Sequence, residues 1–169
     1  HEIQKIKMLP AEELGKLIDR DALYHFKHTG LNPEHPVMRS TVTNPDMFFQ
    51  SQEACNIWYD RLPDIVHDYM DKVSELTGRD YKLFNYYGAP DAERVVVAMG
   101  SVCETLLEVV DYLVERGEKV GFIQVHLFRP FSTEHLLRAL PATTACITVL
   151  DRTKESGALG DPLYQDICT

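Results

Sequence analysis

Along the 169-residue chain the spacing of apolar side chains changes once. Over residues 1–78 they recur every three to four positions, the period of a helix with one covered face; from about Tyr81 onward, β-branched runs alternate with amphipathic stretches. In the first regime "PAEELGKLID" places Pro10 in a first helical turn and Leu14, Leu17 and Ile18 on one face, predicting a helix. A second short helix is predicted over residues 21–27, stopping near Gly30. Pro33, Pro36 and Pro45 each remove a backbone donor and bias the preceding residue away from helix, so residues 31–50 are predicted to run as an extended surface connection. An irregular segment of that length is ordinary where it straps over a neighbouring domain. A long helix is predicted over residues 51–76, with Leu62, Ile65, Val66, Tyr69, Met70, Val73 and Leu76 as its stripe, a kink at Pro63 and a stop at Gly78.

The second regime predicts βαβαβ. Tyr86, Tyr87 and Gly88 read as a turn leading into "RVVVAMG", a continuous apolar run of the kind a parallel sheet covers on both faces. "CETLLEVVDYLVERG" follows as a helix, "KVGFIQVHLF" as a strand, "STEHLLRAL" as a helix and "TACITVLD" as a third strand. Strand, crossover helix and parallel strand make one layer of a right-handed, Rossmann-like α/β sheet flanked by helices. The domain boundary falls at "ELTGRDYKLF": residues 1–78 form a helical lead-in with its proline-rich strap, and residues 79–169 the α/β domain. Asp161 as N-cap and Pro162 as the first helical residue predict a last helix of about two turns. So short a closing helix predicts a piece of a longer polypeptide.

Composition narrows the chemistry. A formal net charge of −9 with scattered lysines and arginines argues against nucleic acid as a partner. No apolar run approaches the roughly 20 residues of a membrane-spanning helix, and no secretory pattern opens the chain. Cys55, Cys103, Cys146 and Cys168 lie far apart without a C-x-x-C pair, so no zinc ribbon, redox dithiol or iron–sulfur run is present. Cys103 and Cys146 stand in apolar stretches and read as reduced packing residues, the expectation for a cytoplasmic protein.

In open parallel sheets ligands sit beyond the carboxyl ends of the strands, which singles out three corners. At Gly100-Ser101, "SVCE" has the form of a capping box, with Ser101 and Glu104 exchanging hydrogen bonds; this reading is preferred over a phosphate site, since Glu104 puts negative charge in the first turn. Arg129 stands just past a strand, where Pro130 breaks the ladder and Ser132 or Thr133 caps the next helix. At the third corner Asp151, Arg152 and Lys154 set mixed charge beside Gly157 and Gly160, which domain docking and a ligand explain equally well. His25 and His28 share a surface, but His35 lies across a proline break, so no metal site is assigned. By residues alone, no complete active site is present.

Four stretches together resemble one family: "GLNPEHPVMRSTVTNPDMFFQSQEACNIWYDRLPDIV", "TGRDYKLFNYYGAPDAERVVVAMGS", "RPFSTEHLL" and "LDRTKESGALGDPLYQDI", joined by the opening "HE". They resemble the pyruvate:ferredoxin (flavodoxin) oxidoreductases, thiamine-diphosphate enzymes of anaerobic metabolism that convert pyruvate and coenzyme A to acetyl-CoA and carbon dioxide. The resemblance implies a segment joining the tail of the pyrimidine-side thiamine domain to most of a domain similar to the C-terminal domain of transketolase. It implies thiamine diphosphate with magnesium and 4Fe-4S clusters in the full enzyme, ferredoxin or flavodoxin as electron acceptor, and a homodimer. No cofactor is implied within these 169 residues and no catalytic residue carries over onto them; the segment's expected role is docking to the other domains. Ser40 departs from the family, which usually shows glycine there. Two other readings are a free-standing α/β interaction module, and the same core fused to a flavin reductase domain working with NADP, or serving sulfite reduction.

Overall fold

The computed structural model describes residue 6, residues 8–36 and residues 42–169; the opening His-Glu and the stretch containing Ser40 lie outside the described residues. Four strands, β1 (Phe84–Gly88), β2 (Arg94–Ala98), β3 (Val120–Val125) and β4 (Cys146–Leu150), form one sheet in the order β1-β3-β2-β4. β2 pairs in parallel with β3 on one side and with β4 on the other, so the three predicted strands run in one direction. β1 was not expected. The Tyr86-Tyr87-Gly88 stretch, read as a turn, is strand, and it pairs antiparallel with β3 through Phe84↔Val125 to Gly88↔Gly121.

Side chains alternate between the two faces of the sheet, as pleating requires. Val95 and Val97 of β2 with Ile123 and Val125 of β3 join Leu83, Phe84, Leu136 and Leu163 in the larger core. That face is covered by α5 (Leu62–Thr77), whose Val66 and Met70 pack on it, by α7 (Thr133–Ala139) and by α8 (Pro162–Cys168). Ala98 and Phe122 face the other way, onto Cys103, Leu106, Leu107 and Val110 of α6 (Val102–Val114). Helices therefore cover both faces. β4 departs from the expectation of a buried strand: Cys146, Ile147 and Leu150 are exposed, and Cys146 is not a packing residue. Its outer edge has no partner strand among the described residues.

One close approach fixes the β1–β3 register. Gly88 (φ 135°) faces Gly121, and a Cβ on Gly88 would lie 2.5 Å from the Gly121 Cα. On Gly121 the space a side chain would occupy is filled by the Tyr86 ring, with its Cζ 2.6 Å from an ideal Cβ. The Tyr86 hydroxyl donates to the Ala89 carbonyl, which pins the ring in place.

Two compact units are present, His1–Asn56 and Ile57–Thr169. The first holds α1 (Ala11–Leu17), α2 (Arg20–His28) and α3 (Pro45–Glu53), with α4 (Asn56–Tyr59) at the division. Pro10 is the N-cap of α1, one position before the helix proper, and the Asp19 carboxylate caps α2 by accepting from the Asp21 and Ala22 amides. The predicted extended strap is shorter than expected, because Pro45 sits at a helix start, where its missing N–H costs nothing, and α3 begins there. The predicted helix over 51–76 is instead α3, α4 and α5. Pro63 accounts for the second of the two breaks: inside a continuous helix its ring would strike the carbonyl of Tyr59, so α4 ends at Tyr59 and α5 restarts with Pro63 in its first turn. Gly78 (φ 71°) ends α5 with its N–H donated to the Ser74 carbonyl.

Two outcomes follow from this packing. Gly121→Ala forces the new methyl into the Tyr86 ring and lowers stability by about 1–3 kcal/mol, measured by thermal or urea unfolding; a neutral result removes the ring-over-glycine contact as a register lock. Burial raises the pKa of Tyr86, with Asp91 adding to it, and burial likewise raises that of the Cys103 thiol, with Glu104 adding. The unfolded chain therefore releases these protons first. Stability is complete below the ordinary cysteine and tyrosine range and falls as pH rises from about 9 upward through the raised folded values. Tyr86→Phe makes the decline above about pH 10 shallower, read from urea midpoints across pH.

Candidate functional site

Parallel pairing of β2 with both neighbours brings the three strand-end corners to one edge of the sheet. β2 leaves through Gly100, whose φ of 78° turns the chain sharply into α6. The expected capping box does not form. Ser101 already has helical dihedrals (φ −65°, ψ −21°) rather than the extended ones a capping side chain needs, and it makes no cap hydrogen bond. The turn is closed instead by the Cys103 amide donating to the Gly100 carbonyl at 3.1 Å. Arg152 of the third corner lies against Gly100, its Nη1 2.7 Å from where a Cβ would stand. Gly100 and Arg152 are thus brought together by the fold.

The remaining candidates converge on α8. Asp161 occupies the N-cap position, as expected, but its side chain does not cap. Asp151, at the end of β4, supplies that carboxylate: its Oδ2 accepts from the Leu163 amide at 2.7 Å and the Tyr164 amide at 3.3 Å. Asp161 turns back to accept from the Glu155 amide at 2.8 Å and stands 3.9 Å from the Lys154 ammonium. Arg129 stacks over the Phe128 ring and donates to Asp166 of α8 at 2.5 Å. The Arg129–Pro130 bond is cis, and Ser132 caps α7 through the His135 amide. Arg152 alone among these cations has no ion-pair partner among the described residues. An open depression of about 450 Å³ lies beside the corner, lined by Leu150, Asp151, Lys154, Leu159, Asp161 and Tyr164.

Chemically, this corner holds an element in place. Asp151 and Asp161 accept from backbone amides, and Lys154 and Arg129 stand beside the Asp161 and Asp166 carboxylates. Among the described residues no three His, Cys, Asp or Glu side chains converge to hold a metal ion. Of the three candidate histidines, His28 is engaged locally, its Nδ1 2.7 Å from the Tyr24 carbonyl. Helices α1, α2 and α3 bury no side chain among the described residues.

A second cavity, missed in the sequence, lies between α5, α7 and β1, with a volume of about 320 Å³ and His67, Asp80, Lys82, Asn85, His135 and Arg138 in its wall. The two imidazole rings are 5.4 Å apart, edge to face. Asp64, His135 and Ser132 have the composition of a hydrolytic triad, but the Asp64 carboxylate is 81% exposed and 3.7 Å from His135, beyond hydrogen-bond reach. The Ser132 Oγ accepts from the His135 amide at 3.5 Å and lies 2.8 Å from His135 Nδ1. His67 and His135 are 68 positions apart in helices that only folding brings together, so no local spacing announced them.

The sheet, with helices on both faces and one antiparallel edge strand, defines an α/β domain preceded by short helices that lack a core. Residues 92–169 match the family model described as pyruvate:ferredoxin oxidoreductase core domain II, and residues 1–71 the one described as pyruvate flavodoxin/ferredoxin oxidoreductase, thiamine diphosphate-binding. A pyruvate-flavodoxin oxidoreductase of Enterobacter agglomerans is 58% identical over 167 residues, and a pyruvate:ferredoxin oxidoreductase of Moorella thermoacetica 58% identical over 169. A protein of Cryptosporidium parvum named pyruvate dehydrogenase [NADP(+)] is 49% identical over 170 residues. These alignments take in 99–100% of this chain but 14% of the first two relatives and 9% of the third. The chain belongs to the pyruvate:ferredoxin (flavodoxin) oxidoreductase family, and it spans about one seventh of the length of the first two relatives.

The crossed roles of the two carboxylates are testable. Asp151→Ala exposes the first amides of α8 and costs about 0.5–2 kcal/mol, seen as faster hydrogen exchange at Leu163 and Tyr164. Asp161→Ala leaves exchange at those two amides unchanged; the opposite ranking refutes the assignment.

Proposed function

We propose that these residues are the structural, domain-docking segment of a pyruvate:ferredoxin (flavodoxin) oxidoreductase, which oxidatively decarboxylates pyruvate with coenzyme A to acetyl-CoA and carbon dioxide. The observation that carries this reading is the internal commitment of the strand-end charges: Asp151, Lys154 and Arg129 serve α8 and its lead-in loop. The names of the relatives supply the substrate and the acceptors, ferredoxin or flavodoxin. In the whole enzyme, thiamine diphosphate with magnesium supplies the decarboxylation chemistry and 4Fe-4S clusters carry electrons away, all bound by other domains. In a cytoplasmic homodimer, residues 1–78 close the preceding thiamine domain and residues 79–169 form the buttress. The loops carrying Gly100, Ser101, Arg129, Asp151, Arg152 and Lys154 seat the adjoining domain.

Support for the docking role also comes from the first unit. Its helices have 7 to 9 residues and bury nothing, while Phe26, Leu31, Met47, Phe48 and Phe49 are exposed. Helices that short are marginal in water without a surface to lie on. A second reading, the same core in an NADP-linked fusion, is favoured by the Cryptosporidium relative, and leaves the segment's role unchanged.

Calorimetric titration of the 169-residue chain with thiamine diphosphate and magnesium gives no binding heat. In the full-length enzyme Arg152→Ala changes the KM for pyruvate and the thiamine content by less than about twofold. Tight binding by the isolated chain, or a collapse of thiamine content in that variant, overturns the reading.

A further inference from the structure

One surface specifies what docks on it, an inference that rests on the docking role above. The outer side of α5 and Tyr81 frame an open groove of about 400 Å³, lined by Ile65, Val66, Tyr69, Met70, Val73 and Tyr81, and the lining exposes only apolar atoms. Val66 and Met70 form its floor, since both also pack on the core beneath, and Ile65 on the rim is 49% exposed. Lys72 extends over the Tyr69 ring, its ammonium 4.5 Å from the centroid.

The lining restricts the occupant's backbone. An extended strand laid here would gain no hydrogen bond from a lining that exposes only apolar atoms, and its N–H and C=O groups would depend on water at the groove's open side. A helix satisfies those groups internally and presents side chains at i, i+3 or i+4 and i+7 to a groove of this kind. Residues 65–73 advance about 12 Å along α5, so the groove matches about two turns of a partner helix.

Area then selects the source. Six side chains offer far less than the roughly 800 Å² per partner of a stable association between separate molecules. A tethered segment acts at an effective concentration in the millimolar range and needs no such area. The chain spans 14% of its Enterobacter relative, so most of a polypeptide of that kind lies outside these residues. We propose that a helix of the same polypeptide, from outside residues 1–169, seats about two turns of apolar side chains in the α5 groove.

The test uses the full-length enzyme carrying Ile65→Cys, and separately Phe49→Cys in the first unit, both at exposed positions where cysteine is a mild change. Site-specific alkylation is read by mass spectrometry, native against urea-unfolded protein. A genetically encoded photo-cross-linking residue in place of Ile65, which avoids the exposed native Cys55, Cys146 and Cys168, identifies the neighbour, and mixing isotope-labelled with unlabelled protomers separates links within one chain from links between copies. Expected are alkylation at position 65 slowed at least about tenfold by the native fold and cross-links to a helical segment of the same chain outside residues 1–169. Cross-links to another protomer, to residues within 1–169 or to a non-helical segment overturn the proposal. Fast alkylation at position 65 with slow alkylation at position 49 overturns the helix alone; fast alkylation at both overturns the docking role as well.

Discussion

Hydrogen bonding along both edges of β2 is the constraint from which the rest of the α/β unit follows. With β3 and β4 held parallel to it, three strand ends must emerge on one side, and the helices that return the chain must lie across the faces. The alternation of Val95 and Val97 against Val96 and Ala98 then divides the interior into two cores that share this strand. The antiparallel β1 is an addition to that frame, seated where two facing glycines let its backbone approach and where an aromatic ring fills the space they leave.

The same geometry explains what the charged residues at a strand-end corner hold. A carboxylate just past a parallel strand can serve a ligand or the nearest helix start, and both compete for the same lone pairs. In this protein the helix wins, because α8 brings the Leu163 and Tyr164 amides within reach of Asp151 and presents Asp166 to Arg129.

Much of the architecture was legible in the sequence, for identifiable reasons. β2, β3 and β4 announced themselves as β-branched runs between amphipathic stretches, and Gly78 and Pro162 marked helix ends where the structure has them, while α6 stops at Val114, three positions before Gly117. β1 was hidden because "FNYYG" mixes polar and aromatic residues and ends in glycine, which mimics a turn. The continuous helix over 51–76 failed twice, at residues 54–55 and again just before Pro63. The corner was less legible than the fold. Ser101 has the right neighbours for a capping box but the wrong dihedrals, set by Gly100, and the true cap of α8 lies 12 positions from the amide it serves. Spacing rules see contacts within a turn or two of helix; neither the Asp151 cap nor the His67–His135 contact is local in that sense.

Among the described residues the outer side of β4 has no partner strand, and Cys146-Ile147-Thr148-Val149-Leu150 carries neither the lysine nor the proline with which natural sheets guard a free margin. Made as a separate piece, residues 1–169 therefore offer a second copy a ladder to extend, and such a preparation is prone to self-association through β4.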